Sequence, residues 1–372
     1  MFESVKSFLH LSYLKAKTHF VERRRWSSRQ KGGDGCRVFY GHDHIPLPGE
    51  KASGGIIKCQ DLQNPFPNTV RGANILYLVS SALPHFAPVM IRYARENGVK
   101  LILNQNGVAF PAYHGKKLEE MNGPRRFLLH EADCVIYQSR FCQESSDVFV
   151  GCRERPFEIL YNPVDVEAFV PVSHQLISRA PTLLLAGSHH HYYRVLSAIE
   201  ILAELVKRGE KISLTIAGRL VWKDDDQVCV RELARMCNDL GVSDCVHILG
   251  PYSQSDAVSI FQEADILLQT QYMDSCPRVV VEAMACGLPI VYSHSGGVPE
   301  LVGENAGVGV PVPHDWNKIH AAEPEQMATA VSHILSSYET FSRAARQRAV
   351  TNFDVRPWLD KHREIFESLL LS

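Results

Sequence analysis

The sequence predicts an α/β protein with two doubly wound, Rossmann-like domains, each built on a parallel sheet. Short apolar runs that are typical of buried strands alternate with helical segments at the spacing of β–α–β units. A stretch rich in breaking residues, 164–181, separates two halves that each have the size of an ordinary domain. Glycines follow several of the apolar runs, at the points where a strand would turn into a helix.

The composition narrows the class of protein. Hydrophobic residues make up 45% and charged residues 22% of the chain, as in soluble globular proteins. The net charge of −2 provides no overall basic field, so nucleic acid is not an expected partner. The ten cysteines show neither a Cys-x-x-Cys pair nor a zinc-binding spacing, and most lie in apolar company. We therefore expect reduced thiols and a cytoplasmic location.

No apolar run approaches the about 18 residues that a transmembrane helix needs, and no signal peptide is evident. The first 31 residues nevertheless differ from the rest, because they hold eight Lys and Arg against two Glu. Apolar residues interspersed with these charges predict a basic amphipathic helix. Such an arm can lie on an anionic membrane surface, at the cytoplasmic face, or can pack on the domain as a solvated terminal helix.

The N-terminal domain is predicted to span residues 32–168. Its strands are expected at 36–42, 73–81, 100–106, 133–139 and 157–165. Its helices are expected at 53–64, 86–97, 115–131 and 140–150. The first of these helices opens with Gly54 and Gly55, a pair whose plainest interpretation is a turn.

The C-terminal domain is predicted to span residues 169–355. Strands are expected at 181–187, 211–218, 245–250, 265–270, 288–294 and 307–312, with helices between them. Residues 196–209 carry apolar side chains at the i, i+3, i+4, i+7 spacing of an amphipathic helix. The tail, 356–372, predicts a final helix.

Two strand-to-helix junctions between residues 265 and 302 form the most informative part of the chain. Asp274 and Glu282 stand there with seven residues between them, followed by the segments EAMACGLPIV and SGGVPELV. Neighbouring parallel strands deliver their C-terminal ends to one edge of a sheet, where open α/β folds bind ligands. Helix N-termini at this edge present free N–H groups that suit phosphate.

This block of segments resembles the donor-site signature of GT-B glycosyltransferases of family 4, also called glycosyl transferases group 1. The likeness is dense from Leu183 to Val312 and looser in the N-terminal half. It implies two domains that face a central cleft, with the final helix crossing back to the first domain. It also implies a metal-independent, mostly retaining enzyme that needs no cofactor.

The implied reaction moves a hexosyl unit from a nucleoside-diphosphate sugar to a hydroxyl acceptor on a glycan or a lipid-linked glycan. A non-catalytic GT-B module that binds a nucleotide sugar or a glycan is the main alternative. A different GT-B enzyme, such as a nucleotide-sugar epimerase, is a second alternative that the two-acid block disfavours.

The resemblance assigns roles to the two acids. Glu282 would accept hydrogen bonds from the ribose hydroxyls of the nucleotide, unless it is an exposed helix residue. Asp274 would contact sugar hydroxyls, although the family usually has Glu there and a turn-forming Asp is the alternative. Backbone N–H groups around Cys276, Arg278 and Val279 would help to hold the donor, with Pro277 at the start of their helix.

The loop after the first strand of the second half departs from the family pattern of Gly, Arg and then Lys. Gly187 is present, Ser188 replaces the Arg, and Arg194 lies one place beyond the Lys position. Arg219 is a second available cation for the diphosphate. Three consecutive histidines in this loop cannot all face one ion, so a metal site is not expected. Pro251 and Tyr252 complete the predicted donor set.

The acceptor side is less specified. The resemblance places Gly55 near the donor phosphate and Asn106, in the stretch Asn104–Gly107, where members often have His. An amide can orient a hydroxyl but cannot act as a general base. Together with the roles given above, the resemblance implies three catalytic residues: Asp274, Arg194 and Asn106. Three other histidines are more ordinary loop candidates: His42, His85 and His114.

Overall fold

The computed structural model describes residues 2–27, 35–47, 50, 52, 54–172 and 179–372, with the side chains of residues 2–12 and 27 left aside. The chain divides into two compact units. The first comprises Met1–Leu160 with Pro357–Ser372, and the second comprises Tyr161–Arg356. Parts of the predicted arm, at residues 1 and 28–31, and of the predicted linker, at 173–178, lie outside the described residues.

The first unit contains a five-stranded parallel sheet at the positions that the apolar runs predict. Its strands are β1 (Val38–Phe39), β2 (Ile75–Val79), β3 (Lys100–Gln105), β4 (Cys134–Tyr137) and β5 (Phe157–Ile159). They lie in the order β1-β2-β3-β4-β5, so the described strands of this sheet run in chain order without a reversal. The C-terminal ends of β2 and β3, which pair over their whole length, therefore lie side by side.

Apart from the short α4, which was not predicted, the helices of the first unit also follow the predicted segments. They are α1 (Phe2–Ser27), α2 (Gly54–Gln63), α3 (Ala87–Glu96), α4 (Pro111–His114), α5 (Leu118–Glu131) and α6 (Arg140–Phe149). Local chemistry explains where α6 begins, since the Ser139 hydroxyl accepts a hydrogen bond from the Cys142 N–H at 3.0 Å. Within the described residues, no helix is both long and apolar enough to cross a membrane.

The second unit contains a six-stranded parallel sheet. Its strands are β6 (Thr182–Ala186), β7 (Ser213–Ala217), β8 (Val246–Gly250), β9 (Ile266–Gln269), β10 (Ile290–His294) and β11 (Gly307–Pro311). Their order is β11-β10-β9-β6-β7-β8, so the chain builds outward from β6 and then returns to build outward from β9. This doubly wound order has a topological switch point between β6 and β9, where open α/β sheets bind ligands.

Seven of the described helices cover the second sheet. They are α7 (Tyr192–Lys207), α8 (Asp226–Asp239), α9 (Gln254–Gln262), α10 (Arg278–Ala285), α11 (Val298–Val302), α12 (Pro324–Ser336) and α13 (Tyr338–Asn352). Alternate residues of β6 face opposite sides of the sheet: Leu184 packs in a core with α10, and Leu183 packs in a core with α7. Both sides of the central strands β6 and β9 are buried, and this explains why these strands appear in the sequence as continuous apolar runs.

The segment after β5 belongs to the second unit, although the sequence places it in the first domain and its linker. Val164 forms a bridge with Asp354, and its N–H donates to the Phe353 carbonyl at 2.8 Å. Val166 and Phe169 are buried in the core of the second unit. Apolar packing therefore moves the division between the units from residue 168 to Leu160.

The last helix, α14 (Val355–Leu371), begins in the second unit, and its greater part belongs to the first. This confirms that the final helix crosses back to the first domain. His362 is fully buried there and its ring lies 5.8 Å from that of Tyr77. The helix is therefore part of the core of the first unit.

A chain of buried polar groups joins α14 to the sheet of the first unit. The Nδ1 atom of His362 faces the Trp358 carbonyl at 2.9 Å and must carry the proton, because a carbonyl only accepts. Its Nε2 atom therefore accepts from the Tyr77 hydroxyl at 3.2 Å, and this hydroxyl accepts from the Asn104 amide at 2.9 Å. Burial lowers the pKa of His362 to about 4, so the ring is neutral near pH 7.

Candidate functional site

The switch point of the second sheet brings together the loops that follow β6 and β9. The Thr270 hydroxyl, 3% exposed, donates to the Arg194 carbonyl at 2.8 Å and ties the two loops together. The side chain of Val279 lies 3.7 Å from the position that a Cβ atom would occupy on Gly187. The first turn of α10 therefore faces the end of β6.

Glycines end the three neighbouring strands β6, β7 and β8. Gly187, Gly218 and Gly250 all have positive φ, at 101°, 121° and 70°. A Cβ atom on Gly218 would stand 1.9 Å from the carbonyl oxygen of Gly187, so no other residue fits there. The Gly218 N–H donates to the Gly250 carbonyl at 2.7 Å. The edge of the sheet thus presents backbone that a ligand can approach closely.

A glycine substitution tests this close approach. Gly218→Ala should lower the free energy of unfolding by about 1–3 kcal/mol more than Gly209→Ala does, as is usual for overpacking. Gly209 is the matched control because its φ is also positive, at 85°, and a Cβ atom there would meet nothing within 4 Å. Urea denaturation of both variants measures the difference. Equal losses would contradict the argument from the Gly187 carbonyl.

Glu282 lies inside α10 and is only 4% exposed, which rules out the alternative of a solvent-facing helix residue. Its Oε1 atom accepts from the Gln254 amide and from Nε of Arg278, both at 2.9 Å. These two donors fix the orientation of the carboxylate at the start of α9 and α10. The protein thus orients this carboxylate through two donors to one of its oxygens. Since a carboxylate has about four lone-pair sites, it has the capacity to accept from hydroxyls as well.

Asp274 lies in the turn between β9 and α10. Its Oδ2 atom accepts from the Gln269 amide at 3.0 Å, and the backbone N–H groups of Ser275 and Cys276 also bond to it. Burial raises the pKa of Asp274, and the nearby Arg194 charge opposes this shift. The side chain has the turn-forming role that the sequence offered as an alternative, and it also lies within the electrostatic reach of Arg194.

The glycines of the second motif fold over Asp274. The Gly297 N–H donates to the Asp274 carbonyl at 2.8 Å, and a Cβ atom on Gly296 would stand 2.4 Å from the same oxygen. The segment SGGVPELV therefore has a packing function at the turn that carries Asp274. This contact links the two strand-to-helix junctions that the sequence placed about twenty residues apart.

Of the two candidate cations, the structure brings Arg194 to this cluster. Arg194 is 6% exposed, and its guanidinium donates to the carbonyls of Ser188 at 3.1 Å and Ala186 at 3.4 Å. Arg219 has an exposed side chain and contributes its backbone carbonyl, which accepts from the His189 N–H at 2.8 Å. Ser188 likewise takes part through its backbone, as the anchor of Arg194.

The three consecutive histidines diverge. His189 is buried, and its Nε2 atom donates to the Ala217 carbonyl at 3.2 Å, whereas His190 is exposed. Burial and the Arg194 charge lower the pKa of His189 to about 3, so this ring is neutral. In the part of the chain that the structure describes, no group of three His, Cys, Asp or Glu side chains could hold a metal ion.

Tyr252 connects the loop after β8 to this cluster, while Pro251 beside it is exposed. The Tyr252 hydroxyl bonds to the backbone of Gly187, and burial together with the Glu282 charge raises its pKa. Tyr252 therefore lies between the glycine edge and the buried carboxylate. The predicted donor residues of the second unit converge on one end of the sheet, apart from the outward-facing side chains of Arg219 and Pro251.

Asn162 is a site residue that the sequence reasoning missed. It is 6% exposed, its side-chain amide donates to the Cys276 carbonyl, and its N–H donates to the Cys276 sulfur at 3.4 Å. Asn162 thereby holds the turn that presents Asp274 and leads through Pro277 into α10. The only signal in the sequence was an Asn-Pro pair directly after a predicted strand.

The first unit gathers a separate polar cluster at the ends of β2 and β3. The Asn106 side chain accepts from the Ser80 hydroxyl and donates to the Ser81 hydroxyl, both at 2.6 Å. A Cβ atom on Gly55 would stand 2.6 Å from the same Ser81 oxygen. His42 joins the cluster through the Ala82 carbonyl at 2.8 Å. Gly55 and Asn106 thus share one polar edge, with the Asn106 amide oriented by two serines.

The remaining candidate histidines lie elsewhere. His85 is exposed, and His114 bonds to the backbone of Phe110 one helical turn away. Burial lowers the pKa of His114. Both are therefore loop or helix-end histidines, as the sequence suggested.

Comparison with known proteins identifies the second unit. Residues 169–348 match the family model for glycosyl transferases group 1. This part of the chain is therefore similar to that family over most of the second unit. Over 192 residues the chain is 36% identical to a D-inositol 3-phosphate glycosyltransferase of Mycolicibacterium smegmatis, a match that covers 50% of this chain and 44% of the relative. The match to a protein of the same name from Mycolicibacterium gilvum is 31% identical over 120 residues and covers 32% of this chain and 25% of the relative. The matched segments thus span less than half the length of these relatives.

Solved structures extend the likeness to both units. The Anabaena protein HepE, crystallised with UDP, superposes with a TM-score of 0.68 at 17% identity, over 89% of this chain and 100% of that one. A glycosyltransferase from Rickettsia africae superposes with a TM-score of 0.63 at 17% identity, over 80% and 77% of the two chains. The fold is therefore GT-B, as the resemblance implied.

Proposed function

We propose that this protein is a retaining, metal-independent glycosyltransferase of family 4. It moves a hexosyl unit from a nucleoside-diphosphate sugar to a hydroxyl on a glycan or lipid-linked acceptor. The observation that carries this proposal is the convergence of Glu282, Asp274 and Arg194 on a glycine-lined sheet edge, within a group 1 glycosyltransferase domain.

The donor is assigned to the switch point of the second unit. Glu282, held by Gln254 and Arg278, accepts from the ribose hydroxyls, which suits a carboxylate because it can accept from two adjacent O–H groups. The diphosphate takes the N–H groups at the start of α10 and the bare backbone at Gly187. The fold neighbour HepE, which was crystallised with UDP and with UDP-glucose, supports this class of donor.

Departure of the nucleotide is the step that Arg194 assists. A fixed cation near the developing phosphate charge stabilises the transition state more than the ground state. Asp274 orients the sugar from the neighbouring turn. In the reaction, the bond from the acceptor oxygen to the anomeric carbon forms, and the bond from that carbon to the phosphate oxygen breaks. The leaving phosphate takes the acceptor proton.

The contacts of the two acids bear on the route by which the proposed retention would occur. Glu282 is bound by Gln254 and Arg278, and Asp274 is bound by Gln269 and by backbone N–H groups. Neither carboxylate is arranged as a nucleophile for double displacement, so a front-side reaction is favoured. Asn106, held by Ser80 and Ser81, would orient the acceptor hydroxyl.

A ligand screen followed by a turnover assay tests the function. Thermal shifts with UDP-, GDP- and ADP-sugars identify the donor, because a ligand stabilises the state that it binds. Release of nucleotide from that donor, even slowly and without acceptor, identifies an enzyme. Binding without any release favours the non-catalytic module, and conversion of the sugar on its nucleotide favours an epimerase.

Activity is expected to need no divalent cation. The donor site offers Arg194 and helix N–H groups for the diphosphate, and within the described residues no group of three His, Cys, Asp or Glu side chains could hold a metal ion. Full nucleotide release in EDTA is the expected result. Loss of release in EDTA with recovery in Mg²⁺ or Mn²⁺ would contradict it.

We also propose that α1 contacts an anionic membrane surface. Tyr13, Lys17, Phe20 and Arg24 recur at i, i+4, i+7 and i+11, which places them on one face of the helix. All four side chains are exposed, with Tyr13 at 62% and Phe20 at 70%. Exposed aromatic and basic groups on one stripe suit the headgroup region of a bilayer.

The opposite face of α1 is already in contact with the first unit. Trp26 is 2% exposed and its ring meets that of Phe39 edge-on at 6.1 Å. The Arg25 guanidinium lies 4.3 Å from the centre of the same Phe39 ring. Packing on the domain and contact with a membrane are therefore compatible, because they use different faces.

Charge reversal tests the membrane proposal. Lys17→Glu with Arg24→Glu should weaken co-sedimentation with phosphatidylserine vesicles by at least about thirty-fold, since the loss of each surface cation removes about 1 kcal/mol and the new negative charges are repelled. Added salt should weaken wild-type binding. Lys116→Glu with Lys117→Glu makes the same change of charge at another exposed place and is the control. Equal loss in both pairs would reject α1 as the contact.

A further inference from the structure

A second cavity lies beside the donor site of the second unit, with a volume of about 800 Å³. Its walls come from the loop before α7, the loop before α8 and one face of α8. Residues 187–194 connect the donor site to this cavity. Gly187 and Arg194, at the two ends of the segment, belong to the donor site, whereas His190 and Tyr192 line the cavity. None of the residues assigned above to donor binding lines this cavity.

Aromatic rings form one side of the cavity. Tyr192 is 40% exposed, and its ring meets that of Trp222 edge-on at 5.9 Å. The Trp222 indole N–H donates to the Glu232 carboxylate at 2.7 Å, which holds the ring in place. The cavity therefore presents a fixed aromatic surface that is ordered before any ligand arrives, and this lowers the cost of binding.

The charges that line the cavity cancel. Lys223 and Arg235 contribute two positive charges, and Glu232 and Asp239 contribute two negative charges, so their sum is zero. Arg235 and Asp239 also pair with each other at 3.4 Å. A balanced set of charges does not select a phosphate or another anion. It offers donors and acceptors to a neutral ligand that carries hydroxyl groups.

We infer that this cavity binds a neutral oligosaccharide. A sugar ring is apolar on its faces and hydroxylated at its edge, which matches an aromatic wall with a rim of carboxylates and cations. Trp222 and Tyr192 stack on the ring faces, and Glu232 accepts from the hydroxyls. In the proposed transfer reaction, these sugars are the part of a glycan acceptor or product that lies away from the reacting carbon. This link to the acceptor rests on the proposed function, whereas the binding does not.

Calorimetric titration with neutral trisaccharides tests the inference. The probes are maltotriose, cellotriose and mannotriose, each added without nucleotide sugar. We expect at least one to bind the wild-type protein, and Trp222→Ala and Tyr192→Ala each to weaken its binding tenfold or more. Trp316→Ala is the matched control, because Trp316 is also half-buried but lies outside the cavity, and it should leave binding unchanged.

Tyr192→Ala keeps the test decisive if Trp222→Ala destabilises the protein, since Trp222 packs partly against the core and Tyr192 is exposed. Failure of all three trisaccharides to bind the wild-type protein overturns the inference. Equal binding by the Tyr192→Ala variant and the wild type also overturns it. The titration contains no nucleotide sugar, so its result does not depend on transferase activity. A protein that binds a trisaccharide but releases no nucleotide would contradict only the proposed function, and one that releases nucleotide but binds no trisaccharide would contradict only this inference.

Discussion

Glu282→Gln is expected to weaken the binding of free UDP or GDP about ten- to a hundred-fold. The substitution keeps the shape of the side chain but removes the charge that we propose accepts from the ribose, and a hydrogen bond to a charged group contributes about 1.5–3 kcal/mol. In the wild-type protein the Nε atom of Arg278 lies 2.9 Å from a carboxylate oxygen of Glu282, and in the variant it would face a neutral amide instead. Calorimetric titration with the nucleotide that the donor screen identifies measures the loss.

Asp274→Asn is the contrasting variant. Asp274 lies in the turn before α10, on the side that we assign to the sugar, so bare nucleotide should bind almost as in the wild type. Binding or turnover of the intact nucleotide sugar should fall. If Asp274→Asn weakens bare nucleotide as much as Glu282→Gln does, the assignment of the two carboxylates is wrong.

Arg194→Gln is expected to lower kcat by about 10²–10³, the range found when one donor to a developing negative charge is removed. Arg194 is held by the carbonyls of Ser188 and Ala186, so its charge is fixed before the leaving phosphate develops. Glutamine carries no charge, and its amide nitrogen reaches only to about the position of the Arg194 Nε atom, short of the two Nη atoms that donate to these carbonyls. Nucleotide release at saturating donor, measured beside circular dichroism and the melting temperature, separates a catalytic loss from unfolding.

Arg219→Gln is the control for this effect. Arg219 lies two residues after the end of the adjacent strand β7 and carries the same charge, but its side chain is exposed. We expect its kcat to stay within a few-fold of the wild type. If kcat falls by a similar factor in both variants, then any positive charge near this edge of the sheet contributes to the rate, and the fixed position of Arg194 is not the cause.

The secondary structure and much of the site were predictable from local pattern. All eleven strands in the described part of the chain fall within the predicted apolar runs, Asp274 lies in the predicted turn, and Glu282 lies inside the predicted helix that follows it. Strands that are buried on both faces must be apolar along their length, so they are visible in a single sequence. The alternation of strand and helix predicted doubly wound domains, and the GT-B fold was implied by the resemblance of the donor-site block to that family.

Residues that act through distant partners were not predictable in this way. Asn162 holds the Cys276 carbonyl from 114 positions away, and Tyr77 bonds to His362 from 285 positions away. The division between the units also shifted to Leu160, because Val164 pairs with Asp354. Each contact depends on which segments pack together, and the residues themselves carry no local signal of it.

The sequence by itself determined the elements, the donor motifs and the places of the two acids, because apolar periodicity and glycine turns are set within a few residues. Only the tertiary structure decided that Arg194 and not Arg219 enters the cluster, since burial and the carbonyls of Ser188 and Ala186 select it. It also decided that β6 and β9 are neighbours. Strand order follows from how whole layers bury their apolar faces, and this balance of packing is a property of the folded chain.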